Sequence, residues 1–261
     1  MKLILSLFPG VDLFGRGFEA EGYCVVRAPD LIYGGDIRDF HAPPKKFNGI
    51  IAGPPCQDFS KLRRAPPTGY GLEMLKEFCR VVTETQPEWF IMENVPTVPD
   101  IKIDGYTIQR LDLNAKEIGA KQNRPRHFQF GSSTGKVIVP ARATPATDKS
   151  QIEPCVTATE GKNKNRRSWA DFCELQGLPR DFNLPEFTLS GKYRAVGNGV
   201  HIDVARTLAK AIQEAYIRKT NTKLCICNCG RPVTGKQRMA TPACRKRMQK
   251  KRDALKNAQA G

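Results

Sequence analysis

No stretch of the 261 residues approaches the roughly 20 consecutive apolar positions needed to cross a bilayer, which argues against a helical membrane span. The only imitation of an export signal, residues 1–8, breaks at Pro9-Gly10 and meets Asp12. A cytoplasmic chain without membrane attachment is therefore expected. No segment repeats at a solenoid period and none is of low complexity, so repeat arrays and biased tracts are excluded. A disulfide framework is also disfavoured: nine cysteines, an odd number, are scattered through a mid-sized chain, as in a reducing compartment. Each cysteine then reads as core, catalyst or metal ligand. Acidic residues are scarce, 26 against 42 Lys and Arg, and the net charge of +16 attracts polyanions. Nucleic acid or an anionic membrane surface heads the partners such a field favours.

What is present is a globular composition, 40% hydrophobic and 26% charged, long enough for one catalytic-sized domain with a small appendage. The charge is uneven. Residues 211–261 hold 13 Lys and Arg against 2 Asp and Glu, whereas residues 1–210 hold 29 against 24. After an amphipathic run over 201–218 the chain passes through polar Lys219-Thr220-Asn221-Thr222 into a cysteine cluster, which places a boundary near residue 220. Before it, apolar runs of strand length (3–8, 24–26, 49–52, 89–95) alternate with helical patterns (11–20, 72–85). That alternation predicts an α/β fold, a doubly wound and mostly parallel sheet, with residues 106–113 and 127–131 completing it. In such sheets ligands sit at the carboxyl ends of the strands.

The chemistry-bearing residues fall there. Pro9-Gly10-Val11-Asp12 follows the first strand, where glycine permits a tight turn and close approach to a ligand. Gly53-Pro54-Pro55-Cys56-Gln57-Asp58-Phe59-Ser60 follows the third apolar run and puts a thiol on a proline-stiffened strand end; the bland alternative is a small buried thiol, but this cysteine follows Gly-Pro-Pro, outside the apolar run. Glu93-Asn94-Val95-Pro96 ends the next strand, where burial can raise a carboxyl pKa far enough to hold a proton near neutrality. Gln122-Asn123-Arg124-Pro125-Arg126 sets two guanidinium groups on one side of an extended segment. Singly, the glycine turn, Glu93 and the arginine pair read more plainly as a turn, a loop cap and a solvated edge.

In this order they resemble the motif series of the cytosine-5 DNA methyltransferase family. The resemblance continues through Arg166-Arg167-Ser168-Trp169 and Leu175-Gln176-Gly177-Leu178-Pro179 to Gly197-Asn198-Gly199-Val200, covering residues 3 to about 215. It implies a Rossmann-like fold dependent on S-adenosylmethionine and double-stranded DNA as substrate. Cys56 would be the nucleophile that adds to carbon 6 of an extruded cytosine, and Glu93 the group acting on ring nitrogen 3. Arg124, and after it Arg126, would hold the base and bias Cys56 toward thiolate. The methyl donor would meet Phe8, Pro9, Gly10, Asp12, Pro54, Asp36 and Ile37, with Asn198 and Val200 closing the site. The loop from Gln57 through Ser60, Lys61, Arg63 and Arg64 would grip phosphate.

By the same resemblance, residues 1–131 are the catalytic and cofactor-binding domain and 166–219 a returning segment that completes it. Residues 132–165 are a reduced target-recognition region, because only 21 residues separate Gly131 from Glu153-Pro154-Cys155. A short or relaxed sequence preference, or one supplied by another protein, is expected. Two further departures touch the cofactor site: Asp12 stands where the family turn has glycine, bringing a negative charge near the donor. The acid expected after the second strand is displaced, with Arg27 early and Asp30 late.

Residues 220–261 are a basic tail in which Cys225, Cys227, Cys229 and Cys244 suffice for a tetrahedral zinc site, against the alternative of a disordered tail with free thiols. Arg245, Arg247 and their basic neighbours would neutralise DNA phosphates; a solvated helix face is the bland alternative. A monomer is expected, and the compact length suits a phage or bacterial modification enzyme. Two other readings stay open: a non-catalytic DNA-binding protein on a decayed methyltransferase body, and the same chemistry on RNA.

Overall fold

The computed structural model describes residues 2–60, 63, 65–143, 152–217, 225–231, 233 and 237–259. Lys61, Arg64 and the expected boundary around residue 220 lie outside the described residues.

Four strands form the parallel part of one sheet: β1 (Lys2–Leu7), β2 (Tyr23–Arg27), β3 (Gly49–Ala52) and β4 (Trp89–Asn94). Beyond β4, the strand β7 (Pro125–Ser132) runs antiparallel between β4 and the edge strand β5 (Thr107–Asn114), giving the order β2-β1-β3-β4-β7-β5. A separate parallel pair joins β6 (Gln122–Asn123) to β8 (Glu153–Pro154). The expected doubly wound α/β sheet is therefore present, with its last two strands over the segments anticipated from their apolar patterns.

Helices cover both faces. On one side α1 (Leu13–Glu19) packs with α5 (Ile202–Ile217) over Ile4, Ile51, Ile91 and Phe128. On the other, α2 (Tyr70–Thr85) buries Met74, Leu75, Phe78, Val81 and Val82, a spacing of three and four that makes one apolar stripe, against Leu5, Ile50 and Phe90. A third cluster joins α3 (Trp169–Leu175) to α4 (Leu189–Asn198), with the Phe172 and Tyr193 rings 4.6 Å apart. The strands β1, β3 and β4 thus have helices on both faces and are buried almost throughout, as their unbroken apolar runs require. Residues 136–140 lie along β5, where Gln109 exchanges hydrogen bonds with both backbone groups of Ile138. The last helix, α6 (Pro242–Gln259), follows the cysteine cluster.

Candidate active site

The turn after β1 is built from left-handed residues. Phe8, Gly10 and Asp12 have φ of 53°, 54° and 52°, a conformation glycine adopts freely and Asp tolerates better than most. Asp30 holds this turn, its carboxylate accepting from the Gly10 backbone N–H at 2.9 Å. The Asp12 carboxylate accepts from Gly15 N–H at 2.9 Å, capping α1, and from Ser6 Oγ at 2.9 Å, while Arg27 Nε lies 2.8 Å away. Burial raises its pKa against the opposing pull of these partners. Asp12 therefore does not present a bare negative charge to the cleft. Its charge is matched by Arg27 at the end of β2, so two departures from the family pattern compensate one another.

Cys56 opens a short helical turn, Gln57–Phe59, four residues beyond β3. Its Gly53-Pro54-Pro55 approach is tied to β4 by Asn94, whose side-chain amide donates to the Pro54 carbonyl at 3.1 Å. Glu93, 7% exposed, has Arg126 Nε at 2.9 Å from its carboxylate. Burial raises the Glu93 pKa and Arg126 opposes it. The Cys56 thiol is pushed up first by burial and then by the neighbouring Glu93, with Arg126 only partly offsetting them. The expected bias of Cys56 toward thiolate is thus outweighed: a half-buried sulfur beside a carboxyl group is held as the thiol.

The two arginines divide their work in an order that the sequence does not reveal. Arg124, 1% exposed, donates to the carbonyls of Val156, Gly197 and Gly199 at 3.0, 2.8 and 2.8 Å and to Cys155 Sγ at 3.2 Å. Desolvation lowers its pKa to about 10, which leaves it cationic at neutral pH. Its side chain stitches the end of α4 to the Cys155-Val156 segment, so the guanidinium facing the carboxyl group of Glu93 is Arg126, the one that sequence reasoning ranked second. Asn94, inside the Glu93-Asn94-Val95 motif, joins the site beyond the residues expected there, and Asp30, read from the sequence as a displaced acid, holds the glycine turn.

Beyond Cys56 the loop closes on Asp58, which accepts from Gly71 N–H at 2.8 Å and Thr68 N–H at 3.0 Å and pairs with Arg63. Arg63 also donates to the carbonyls of Ala65 and Pro66, so its guanidinium is spent within the loop in this conformation. Gln57 is exposed at the start of the loop.

In the tail, the sulfur atoms of Cys225, Cys227, Cys229 and Cys244 all lie within 4.8 Å of one another. The Cys225–Cys227 and Cys229–Cys244 separations are 3.4 and 3.7 Å, and all four thiols are free. These distances are far from the about 2.05 Å of a disulfide and near the about 3.8 Å edge of a tetrahedron with 2.3 Å metal–sulfur bonds.

All nine residues expected at the cofactor, together with Cys56 and Glu93, line one cleft of about 280 Å³ at the carboxyl ends of β1, β3 and β4. Fold and cleft together define an α/β methyltransferase. Residues 27–174, more than half of the chain, match the C-5 cytosine-specific DNA methylase family, and the chain belongs to it. Among relatives, the Type II methyltransferase M1.BsuMI of Bacillus subtilis is 35% identical over 106 residues, 34% of this chain and 24% of that protein. M1.HphI of Haemophilus parahaemolyticus is 33% identical over 173 residues, 51% and 46% of the two chains. M.HindV of Haemophilus influenzae is 26% identical over 181 residues, 57% and 59%. The matched regions thus span between a quarter and three fifths of these relatives. Two solved structures share the fold: the Entamoeba histolytica methyltransferase EhMeth (TM-score 0.64, 13% identity, 84% of this chain and 99% of that one) and a mutant of Spodoptera frugiperda DNMT2 (0.63, 14%, 82% and 100%). Among the described residues no helix is long and apolar enough to cross a membrane.

Proposed function

We propose that this chain transfers a methyl group from S-adenosylmethionine to carbon 5 of cytosine in double-stranded DNA. The observation that carries the reading is the convergence of Cys56 and Glu93 on the cleft of the glycine turn, with Arg126 against Glu93 at 2.9 Å. The cleft suits the donor on its own residues: Phe8, Ile37 and Met74 supply an apolar floor, and Asp30 and Asp36 bring carboxylates to its lining. S-adenosylmethionine, when bound, supplies an electrophilic methyl group.

Carbon 5 of cytosine is a weak nucleophile until the ring gains electron density. Cys56 provides it by adding its sulfur to carbon 6, while Glu93 gives a proton or hydrogen bond to ring nitrogen 3 and Arg126 fixes the carboxyl group. Burial raises the Glu93 pKa, so its carboxyl group gives up a proton less readily than a free one, which suits this step. The adding species is the thiolate, so Cys56 must first lose its proton, and burial makes that loss the harder part. After the methyl group joins carbon 5, loss of the carbon 5 proton and departure of the Cys56 sulfur restore the ring. Arg124 acts through position alone, holding the segment that carries Asn198 and Val200. Transfer of labelled methyl groups to duplex DNA, absent with Cys56→Ala, tests the reading; equal transfer by the variant would overturn it.

The tail reads as a zinc module, the four thiolates supplying the whole ligand set, with Arg245 directed to DNA phosphates; Arg247, expected beside it, is turned to Asp112 at 3.5 Å instead. Residues 133–143 lie along the body, and among the described residues of 132–165 no base-reading module stands out. The small size of 132–165 supports a short or relaxed sequence preference, or one supplied by another protein, and bisulfite sequencing after expression would contradict it by finding a site of six or more fixed base pairs.

A further inference from the structure

The cysteine cluster is seated on the outer edge of the catalytic sheet. Asn228, at φ 62°, donates its side-chain amide to the Ile108 carbonyl of edge strand β5 at 3.2 Å. Gly230, at φ 74°, comes so close to the body that a Cβ there would stand 2.1 Å from the Ile138 carbonyl oxygen and 2.2 Å from Gln109 Nε2. Only glycine satisfies both the backbone angle and the approach. One helical turn past Cys244, Arg247 reaches Asp112 on β5 at 3.5 Å, and Asp112 is held from the other side by His127 Nδ1 at 2.7 Å.

Register tells where this anchor lies. Asp112 pairs with His127 across β5 and β7, and His127 pairs with Asn94 across β7 and β4. Arg247 is therefore fastened level with the catalytic rim, two strand spacings or about 10 Å from the end of β4. From there α6, 18 residues and roughly 27 Å long, carries Arg245, Lys246, Lys250, Lys251 and Arg252 exposed, with Cys244 buried beneath. A solvated basic face needs no anchor, whereas this one is fixed at both the thiol cluster and Asp112.

We propose that the tail is a metal-locked phosphate clamp: a metal held by the four thiolates fixes the Cys225–Gly230 knuckle against β5 and so aims the basic face of α6 at the DNA backbone beside the extruded base. The clamp performs the gripping part of a target-recognition domain without its base reading. Duplex DNA as the polyanion rests on the function proposed above; the docking and metal dependence do not.

The test uses the full chain, its metal content counted by atomic emission, and a duplex containing only A·T pairs, which offers phosphates but no target. Anisotropy across a salt series gives the slope of log affinity against log salt. One zinc per chain is expected, and combined Arg245→Ala, Lys246→Ala, Lys250→Ala and Lys251→Ala should reduce the slope by about 3 to 4, at about 0.9 per lost phosphate contact. Gly230→Leu keeps all four thiols and should keep its zinc, yet lose the same slope, with no further loss when combined with the charge changes. Retained binding of S-adenosylmethionine certifies that the variants are folded; if Gly230→Leu fails that check, Arg247→Ala with Asp112→Asn replaces it. A metal-free chain, an unchanged slope in the charge variant, or a zinc-bound undocked variant with full slope would each overturn the clamp. A full, metal-dependent slope without methyl transfer to cytosine-containing DNA would sink the catalytic reading and leave the clamp standing.

Discussion

The catalytic body and the C-terminal tail keep their shape by different means. The body has three apolar clusters that enclose the sheet and its helices. That reserve lets it carry a left-handed Phe8, a buried Glu93 and a fully buried Arg124, each of which costs stability. The tail's buried cluster is Cys225, Cys227, Val233 and Cys244, three sulfurs where side chains of a hydrophobic core would stand. A segment of this size cannot bury enough apolar surface to order itself. On the proposed zinc module, the difference separates chemistry that a large core supports from structure that a bound metal would supply.

Removing the metal should widen the contrast most, because apparent binding free energies for structural zinc are about 10 kcal/mol or more. A strong chelator is expected to make the chain after residue 220 sensitive to protease while the body melts within a few degrees of its original temperature; simultaneous loss of both would erase the distinction. Within the body, Arg124→Met should remove the donor that three carbonyls share, with Gly197 left to lose most because Gly199 keeps Gln176 and Val156 keeps the Cys155 thiol, and cost about 3–5 kcal/mol in denaturant unfolding. Arg126→Met, at a half-buried edge, should cost under about 1.5 kcal/mol yet depress methyl transfer far more than it depresses stability. Equal stability losses would mean that the two arginines are not divided as described.

Glu93→Gln probes the strain that the body tolerates. Its folded pKa lies above the about 4.3 of an unfolded chain, so the folded state binds the extra proton. Stability should then fall as pH rises through the window from the unfolded to the folded value. The Gln variant lacks that fall and should melt above the parent at pH 8, with the gain vanishing as pH drops toward 4, while losing activity. A variant less stable than the parent at pH 8 would contradict the direction of the shift. The smallest effect concerns Asp12: Asp12→Gly removes a helix cap but relieves the left-handed residue, for a net cost under about 0.5 kcal/mol. Asp12→Ala should cost about 1 kcal/mol more, because it loses the cap and keeps the strain.

The fold was legible because apolar runs of strand length announce a buried sheet, and β3 begins and ends where its run does. The place of the site was legible too, since Cys56 stands just beyond its run and Glu93 at the carboxyl end of its own. What spacing could not convey is which way a long side chain turns. Arg124 and Arg126 alternate with one residue between them, yet the first enters a cage of carbonyls from distant segments and the second meets Glu93. Asp12 and Arg27, each odd alone, become intelligible only when the turn and the end of β2 are brought together. Likewise, nothing in the run of cysteines indicates that Gly230 must fit against Ile138.

The central claim is that the Cys56 sulfur bonds to carbon 6 of an extruded cytosine, and incubation with S-adenosylmethionine and a duplex bearing 5-fluorocytosine tests it most directly. The fluorine at carbon 5 cannot leave as a proton, so a stable protein–DNA adduct should accumulate, map by mass spectrometry to Cys56, and be absent in Cys56→Ala. Binding of both cofactor and duplex with no adduct, or an adduct that survives in Cys56→Ala, would contradict the account.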